Sequence, residues 1–202
     1  MTHRRTLTLL AFLLLLAAGT AMASYDEPAY TVVDLRPGYE VRQYAPHIVA
    51  EVTTRGSYKA SSSAAFRLLA NYIFGGNQAP DGAGSKRMNM TVPVTGTPQD
   101  ADQNEYVWTF YMEPSYTLDA LPTPNDGRVR LVEVPARLVA VKRYSGRTSE
   151  ANYHAARDSL RMDLANDGVE TIGVTTNAVY NGPWTLPALR RNEVLQPVSS
   201  TR

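Results

Sequence analysis

The chain has 202 residues, with 20 lysine and arginine side chains against 19 aspartate and glutamate side chains, and no cysteine. This charge balance argues against a nucleic-acid partner, which usually requires a basic face. Without cysteine there is no disulfide framework, so a hydrophobic core must stabilise the fold. The length suits one globular domain that buries most of its apolar surface.

The first 23 residues have the three regions of a secretory signal peptide. A positive segment at Arg4 and Arg5 precedes an apolar, uncharged run over residues 7–18, and an Ala-Met-Ala sequence then fits a signal-peptidase site. A spanning helix needs roughly 20 apolar residues, so this run of about a dozen is too short for a membrane anchor. We therefore expect residues 1–23 to be removed, leaving residues 24–202 as a periplasmic or secreted domain without a membrane span.

The predicted signal peptide also affects the net charge of the mature chain and the predicted route of export. Its removal takes two of the 20 basic side chains and leaves 18 against 19 acidic ones, a formal charge of −1. No cysteine follows the apolar run, so a bacterial lipid anchor through cysteine is excluded. Arg4 and Arg5 leave open a twin-arginine signal, which exports folded proteins.

Two segments that lie 90 residues apart contain the same order of predicted elements. Each has a strand, a turn marked by proline, a second strand, a glycine, a Ser/Thr-rich cap and an amphipathic helix. Aligning residues 48–50 with residues 138–140 also aligns Gly56 with Gly146. An internal duplication is the simplest account of these two units.

Capping residues and apolar spacing predict two helices. The first is expected to begin near residues 61–63, whose hydroxyls can cap free amides, and to end at Gly75-Gly76. The second is expected to begin at Thr148 or Ser149 and to end at residues 166–168. Its apolar stripe has the spacing of one helical face and consists of Tyr153, Ala156, Leu160 and Leu164.

The remaining periodic segments are strand-like and are separated by turn residues. A strong turn signal, Asn-Asp-Gly, lies at residues 125–127. These patterns together predict an α+β fold in which a curved, largely antiparallel sheet packs against two helices. The strand-like runs after the first helix include residues 88–95, 106–112, 129–134, 171–180 and 193–198, of which residues 129–134 open the second repeated unit.

The sequence contains no constellation that indicates catalysis or a metal site. It has no cysteine nucleophile, nucleophile elbow or phosphate-binding glycine loop. His154 lies on the polar face of the second helix, whereas His47 begins a β run, where it can reach a cavity or face solvent. No His/Glu/Asp cluster has metal-ligand spacing. We therefore expect a binding protein and not an enzyme, with any metal ligand unknown.

Two segments are more distinctive than composition explains. Residues 86–94 form an apolar run that contains Met88 and Met90. Because methionine adapts to irregular space, this run suits either a core or a loose wall around a ligand.

The second segment is a proline-rich loop at residues 180–189, which carries Trp184 and two leucines and is followed by Arg190 and Arg191. It can close over a flat apolar ligand, with an arginine pairing with carboxylates at the rim. Alternatively, Trp184 packs on the sheet and the arginines pair with Glu193 or neighbouring acids. The residues alone leave both interpretations open.

Four segments together resemble the SOUL haem-binding protein family. They are similar, in order, to its first strand, its first helix with the glycine end, its M-T-x-P-V strand and its Y-x-x-P…R-x-N-E-V ending. The match covers nearly the whole mature chain. The segments are YEVRQYAP from Tyr39, FRLLANYIFGGN from Phe66, MNMTVPV from Met88 and YNGPWTLPALRRNEV from Tyr180.

The resemblance implies a distorted antiparallel β-barrel with two α-helices, built from two similar β-α-β halves. It also implies a non-catalytic protein that binds haem or another porphyrin in a shallow apolar cleft. The cleft is expected between the outer face of the first helix and the loop before RRNEV. By position, its residues are Arg67, Ala70, Asn71 and Phe74 on the helix, and Pro183, Trp184, Leu186 and Leu189 in the loop.

The chain departs from the family pattern on this helix face and in the first strand. Arg67 and Asn71 replace the methionine and aliphatic residues typical of that helix face, although Arg67 can meet a propionate. Gln43 stands where some members carry a proposed iron-ligating histidine, which leaves His47 as the nearby substitute. Another hydrophobic or cationic small molecule in the same cleft is therefore an alternative.

A third hypothesis is an enzyme that processes tetrapyrroles. Such an enzyme would need an acid-base or metal-ligating side chain in the cleft. The candidates in the sequence are His47, Tyr72 and Glu51.

Overall fold

The computed structural model of the chain describes residues 25–100 and 102–200. The predicted signal peptide and its cleavage site lie outside the described residues. Within these ranges, no helix is long and apolar enough to cross a membrane.

The α-helices are α1 (Tyr58–Ile73) and α2 (Glu150–Asn166). The strands are β1 (Tyr30–Arg36), β2 (Tyr39–Tyr44), β3 (His47–Arg55), β4 (Asn77–Gln78), β5 (Val94–Pro98), β6 (Glu105–Tyr111), β7 (Thr123–Pro124), β8 (Arg130–Val134), β9 (Arg137–Tyr144), β10 (Thr176–Val179) and β11 (Asn192–Pro197).

Nine strands form one curled antiparallel sheet in the order β1-β2-β9-β11-β10-β5-β6-β3-β8. The short strands β4 and β7 pair separately. Both helices pack on the same face of the large sheet, one over each half. This architecture confirms the predicted α+β class and the distorted barrel with two helices.

The strand order also confirms the two similar halves. Outward from the central β5–β10 pair, the sheet continues through β6, β3 and β8 on one side and through β11, β9 and β2 on the other. The register repeats as well, since Tyr44 pairs with Arg137 while Val134, 90 residues after Tyr44, pairs with His47. Each half thus gives its first strand to the other half.

Over the described residues, the core has three clusters, one under each helix and a third, around Val139 and Leu195, on the other face of the sheet. Under α1, alternate residues of β6, including Trp108 and Phe110, pack with Leu69 and Tyr72. Under α2, a separate cluster contains the helix residues Tyr153, Ala156, Leu160 and Leu164, all of them buried. The predicted apolar stripe of the second helix is therefore confirmed, and the division of the core leaves a gap between the helices above the centre of the sheet.

The ends of the helices agree with the sequence except at one point. Ser149 caps α2 by accepting a hydrogen bond from the Asn152 amide at 3.3 Å. Helix α1 begins three residues before the predicted Ser61, which is buried inside the helix and accepts a hydrogen bond from Trp108 Nε1 at 2.8 Å. The predicted start was wrong because this serine satisfies a core tryptophan and not the helix end. Gly75, at φ +116°, ends α1 as expected.

Two predicted strands are shorter than expected, and β1 was not predicted. Residues 88–93 are irregular because their amides have partners outside a ladder: Met88 donates to the Ile73 carbonyl and Val92 to the Asp26 carbonyl. The run over residues 171–180 forms a strand only from Thr176, after a segment in which Gly173 has φ +64°.

Candidate ligand-binding cleft

A cleft of about 520 Å³ opens in the gap beside α1. Trp108 and Phe110 of β6 contribute to its floor, and Phe66 of α1 forms one wall. The opposite wall comes from the irregular segment before β5, through Met90, and from the start of the proline-rich loop, through Pro183. The remaining lining residues are Tyr25, Tyr58, Ser62, Ser63, Ala65, Leu69, Thr91, Val92, Val94, Thr148, Val179, Tyr180, Asn181 and Gly182.

The hydroxyls around the cleft are largely satisfied within the protein. Ser62 and Ser63 on α1 donate to the Lys59 carbonyl at 3.1 and 2.8 Å. Thr91 donates to the Tyr111 carbonyl. A ligand therefore meets mainly carbon surface, because these hydroxyl protons are already committed.

Two buried tyrosines beside the cleft are also engaged. Asn177 Nδ2 donates to the Tyr58 hydroxyl at 2.6 Å, and the Tyr180 hydroxyl donates to Glu193 Oε2 at 2.6 Å. Burial raises the pKa of Tyr58 and of Tyr180, so both phenols stay neutral. Among the described residues, no aspartate, glutamate, lysine, arginine or histidine lines the cleft, so this part of the lining carries no charge. A cationic ligand would find no carboxylate there.

The exposure of Phe66 does not follow from its position in the helix. Phe66 lies at helical spacing from Leu69 and Ile73, which are both buried. Phe66 is instead 46% exposed, and its ring packs edge-on against Phe110 with centroids 5.6 Å apart. A half-exposed phenylalanine on an aromatic floor provides a preformed apolar contact surface.

Met88 and Met90 have different roles, one in the core and one in the wall of the cleft. Met88 is buried in the core beneath α1. Met90 is partly buried and lines the cleft. The run at residues 86–94 therefore supplies both core packing and a ligand wall.

The predicted helix face lies beside the cleft and outside its lining. Arg67, Asn71 and Phe74 are exposed, and Ala70 is partly buried against the core. The Arg87 guanidinium lies 5.3 Å from the centroid of the Phe74 ring. This face is continuous with the cleft along α1, because Phe66 and Ala70 are one turn apart.

Asn71 has a structural role at the end of the helix. Its carbonyl accepts a hydrogen bond from the Gly76 amide at 2.7 Å. Its side chain lies so close to Gly76 that an added Cβ there would collide with it. Asn71 and Gly76 thus fit together in the turn after α1.

The predicted loop residues are distributed between the cleft and solvent. Pro183 lines the cleft, whereas Trp184 is 95% exposed and Leu186 and Leu189 are also exposed. The interpretation in which Trp184 packs on the sheet is therefore wrong. Arg190 holds the loop, because its guanidinium donates to the carbonyls of Pro183 and Thr185 at 2.6 and 2.8 Å.

Arg191 does not line the cleft and belongs to a largely buried ionic network. It donates to Glu193 at 2.9 Å and to Glu27 at 2.8 Å, and it stacks 3.6 Å from the centroid of the Tyr180 ring. Glu193 is fully buried and also accepts two hydrogen bonds from Arg42, at 2.8 and 3.0 Å. The Arg-Asn-Glu-Val segment is therefore structural, since it ties β11 to β2 across β9.

Neither histidine among the described residues lines the cleft. The His47 Nδ1 atom lies 2.9 Å from the Ala45 carbonyl oxygen, and its ring is on the face of the sheet opposite the helices. His154 bonds to Gln103 at 2.9 Å. Over the described ranges, no group of three or more His, Cys, Asp or Glu side chains is arranged to hold a metal ion.

The other residues considered for an enzyme also lie elsewhere. Tyr72 is buried in the core and donates to the Pro122 carbonyl at 2.9 Å. Glu51 pairs with Arg130 at 2.5 Å on the opposite face of the sheet. None of these groups reaches the cleft lining.

A family model described as SOUL heme-binding protein matches residues 25–197. The chain belongs to the SOUL haem-binding protein family. The match includes both helices and every strand of the large sheet. A comparison with curated proteins gave no match.

Solved structures share the fold at low sequence identity. The C-terminal domain of EcmrR is 12% identical, with a TM-score of 0.60 over 85% of this chain and 99% of that one. A hydrolase from Listeria innocua is 14% identical, with a TM-score of 0.52 over 88% of this chain and 94% of that one. These likenesses support the architecture of this SOUL-family chain and say nothing of its ligand.

Proposed function

We propose that this protein binds haem or a related tetrapyrrole in the cleft beside α1, as an exported, non-catalytic binding protein. The observation that carries the proposal is an uncharged, apolar cleft in a member of the SOUL haem-binding family. Its volume of about 520 Å³ falls within the range typical of small-molecule sites.

The walls of the cleft suit a flat apolar ligand. Phe66 and Phe110 present aromatic surface on one side, and Met90 presents an adaptable thioether on the other. The exposed side chains of Trp184, Leu186 and Leu189 extend this apolar surface into solvent. Large exposed apolar groups that cluster beside a cleft are typical of a contact surface for a ligand or partner.

The donor set supports binding through the porphyrin plane and not through a histidine–iron bond. Because neither described histidine lines the cleft, the iron-ligand types present there are the Met90 thioether and the tyrosine hydroxyls. Bound haem would supply its own iron chemistry, and the protein would hold it by apolar contact. We expect metal-free porphyrin and hemin to bind with similar affinity.

The absence of charge in the lining favours a tetrapyrrole over a cationic molecule. A cation buried in an uncharged cleft would lose hydration without gaining a counter-charge. The propionates of a porphyrin can remain in solvent, and Arg67, the exposed neighbour of Phe66 on α1, is a cation available to pair with them. The signal-peptide pattern supports a role in capture, storage or transfer outside the cytoplasm.

The proposal is tested by hemin titration of the mature protein and of two matched variants. Phe66 and Phe74 are 46% and 45% exposed, on and just after the same helix, but only Phe66 lines the cleft. We expect Phe66→Asp to weaken hemin binding at least tenfold, because burying a phenylalanine contributes about 1.5–3 kcal/mol. Phe74→Asp should bind within about twofold of the wild-type protein.

The outcomes separate the cleft from the outer helix face. Loss of binding in Phe74→Asp alone would place the ligand on the outer face predicted from Arg67, Ala70, Asn71 and Phe74. Equal, undiminished binding by both variants would contradict the proposed cleft. Circular dichroism of each variant checks that the fold is retained.

A further inference from the structure

The face of the sheet opposite the helices contains a second cavity of about 520 Å³, here named the helix-free groove. Strands β2, β3, β5, β6 and β8 to β11 all contribute side chains to it. The groove crosses the central β5–β10 pair, where the two similar halves meet. Tyr180 lines both the groove and the cleft.

The groove combines apolar surface with hydroxyl groups. Val107 and Val134, which are partly buried, and Val174, which is exposed, contribute carbon surface. Thr95 and Thr109 share a hydrogen bond of 2.5 Å, and Thr97 and Thr176 share one of 2.8 Å. A hydroxyl has one proton, so each pair uses one proton internally and keeps a second that can be donated to a ligand.

Four further side chains gather where β2, β3, β6 and β9 contribute to the groove. The His47 ring lies 6.4 Å from the Tyr44 ring and 5.8 Å from the Tyr111 ring, measured between centroids. Arg137 pairs in register with Tyr44, and its charge acts on both Tyr44 and His47. The Arg137 guanidinium has only donors, and the Tyr44 and Tyr111 hydroxyls each have a proton to donate, which favours a ligand rich in acceptors.

The charge of Arg137 is not neutralised. Within residues 25–100 and 102–200, its guanidinium makes no hydrogen bond or ion pair. The second arginine of the groove, Arg130, is paired with Glu51 at 2.5 Å. Although Arg137 is accessible to solvent, burial lowers its pKa, as expected for a cation inside a concave surface.

We propose that the helix-free groove binds a small organic carboxylate with an apolar body. Arg137 receives the carboxylate, the Tyr111 hydroxyl and the free threonine protons donate to it, and the apolar body lies on Val107, Val134 and Val174. A guanidinium held without a counter-charge beside apolar surface recognises this class of ligand. The groove lies on the other face of the sheet from the cleft, so the inference does not depend on tetrapyrrole binding.

The test is calorimetric titration with octanoate and with octylammonium, which share an apolar chain and carry opposite charge. We expect octanoate to bind saturably at one site and octylammonium to bind at least tenfold more weakly. Arg137→Gln should weaken octanoate binding about tenfold or more, since hydrogen bonds to charged groups contribute about 1.5–3 kcal/mol.

A control variant removes the same charge from the same strand. Arg143 is exposed on β9, six residues beyond Arg137, or about 20 Å along the strand, and it does not line the groove. Arg143→Gln should bind octanoate like the wild-type protein. Equal weakening in the two variants would show a general effect of charge and overturn the proposal.

The position of the ligand is a separate readout. Octanoate should shift the NMR signals of Thr95, Thr109 and Thr176 in the groove. Shifts confined to the cleft, at Phe66 and Met90, would overturn the proposal, as would an absence of saturable binding. Hemin titration of Arg137→Gln should match that of the wild-type protein, so a failure of one site is distinguishable from a failure of the other.

Discussion

Replacing Glu193 with glutamine removes a negative charge from a position that receives hydrogen bonds from Arg42, Arg191 and Tyr180. Glu193 is fully buried and the Arg42 side chain is nearly so. Glutamine has almost the same shape, so the variant isolates the loss of charge. Arg42 then retains one carboxylate partner, Glu40, at the edge of the network.

The expected loss of stability is large because a buried cation loses its main counter-charge. Breaking a buried ion pair from one side costs about 3–5 kcal/mol. The amide oxygen still accepts one or two hydrogen bonds, so we expect about 3 kcal/mol for Glu193→Gln. An exposed pair contributes far less, and Glu105→Gln, which loses a pair with the solvent-exposed Arg55, should cost under about 1 kcal/mol.

Urea unfolding followed by the fluorescence of the buried Trp108 measures both variants. With a slope of about 1–3 kcal/mol per molar urea, a loss of 3 kcal/mol lowers the midpoint by about 1–3 M. A Glu193→Gln midpoint no lower than that of Glu105→Gln would refute the reasoning.

The pH dependence of the same variant gives a second check. Burial alone would raise the pKa of Glu193, but the hydrogen bonds and charge of Arg42, with those of Tyr180 and Arg191, outweigh it and lower the pKa below 4.5. The network therefore stabilises the fold above pH 4.5, and this contribution is lost as pH falls through the folded-state pKa. The stability difference between wild type and Glu193→Gln should shrink over that range.

Three further predictions each concern a single residue. Gly96→Ala places a Cβ 2.6 Å from the Trp108 ring and should cost about 1–3 kcal/mol in thermal unfolding, whereas Gly182→Ala, with open space around it, should cost almost nothing. Trp184→Phe should remove the acrylamide-quenchable fluorescence and leave stability within about 0.5 kcal/mol; a large loss would contradict its exposure. Burial, assisted by the charge of Arg137, lowers the pKa of His47, so NMR titration should give a pKa below 6.5. Protonation of His47 therefore opposes folding as the pH falls. A measured pKa above 6.5 would contradict the burial of this ring.

Local patterns were sufficient for α2 and for the duplication. Ser149 and the stripe at Tyr153, Ala156, Leu160 and Leu164 act within a few residues of one another, so the sequence predicts them directly. The repeat predicted equivalent halves, but the exchange of β2 and β8 between the halves depends on pairings that no local pattern records.

The elements that form the candidate cleft were predictable from the sequence, but its individual contacts were not. The first helix and the proline-rich loop do meet at one cleft, through Phe66 and Pro183. Phe66 lies at helical spacing from the buried Leu69 and Ile73, so its partial exposure depends on how far the neighbouring elements cover α1. The neighbouring serines, Ser62 and Ser63, were the available signal that this flank of the helix faces an opening.

The arginines after the loop show a different limit. The local sequence around Arg190 and Arg191 is compatible with both interpretations of the loop. Only the fold brings Arg191 to Glu27 and to Glu193, and Arg190 to the loop carbonyls. The helix-free groove could not be predicted from local sequence either, because its lining comes from alternate residues of eight strands that only the fold brings together.

The central claim is that the cleft binds a tetrapyrrole by apolar contact without a histidine ligand. Parallel absorbance titrations of the mature protein with hemin and with metal-free protoporphyrin test it most directly. We predict saturable, shifted Soret bands near one equivalent for both ligands, with affinities within about threefold. Failure of both ligands to bind would contradict tetrapyrrole binding, and binding of hemin alone would contradict the absence of a dominant iron ligand.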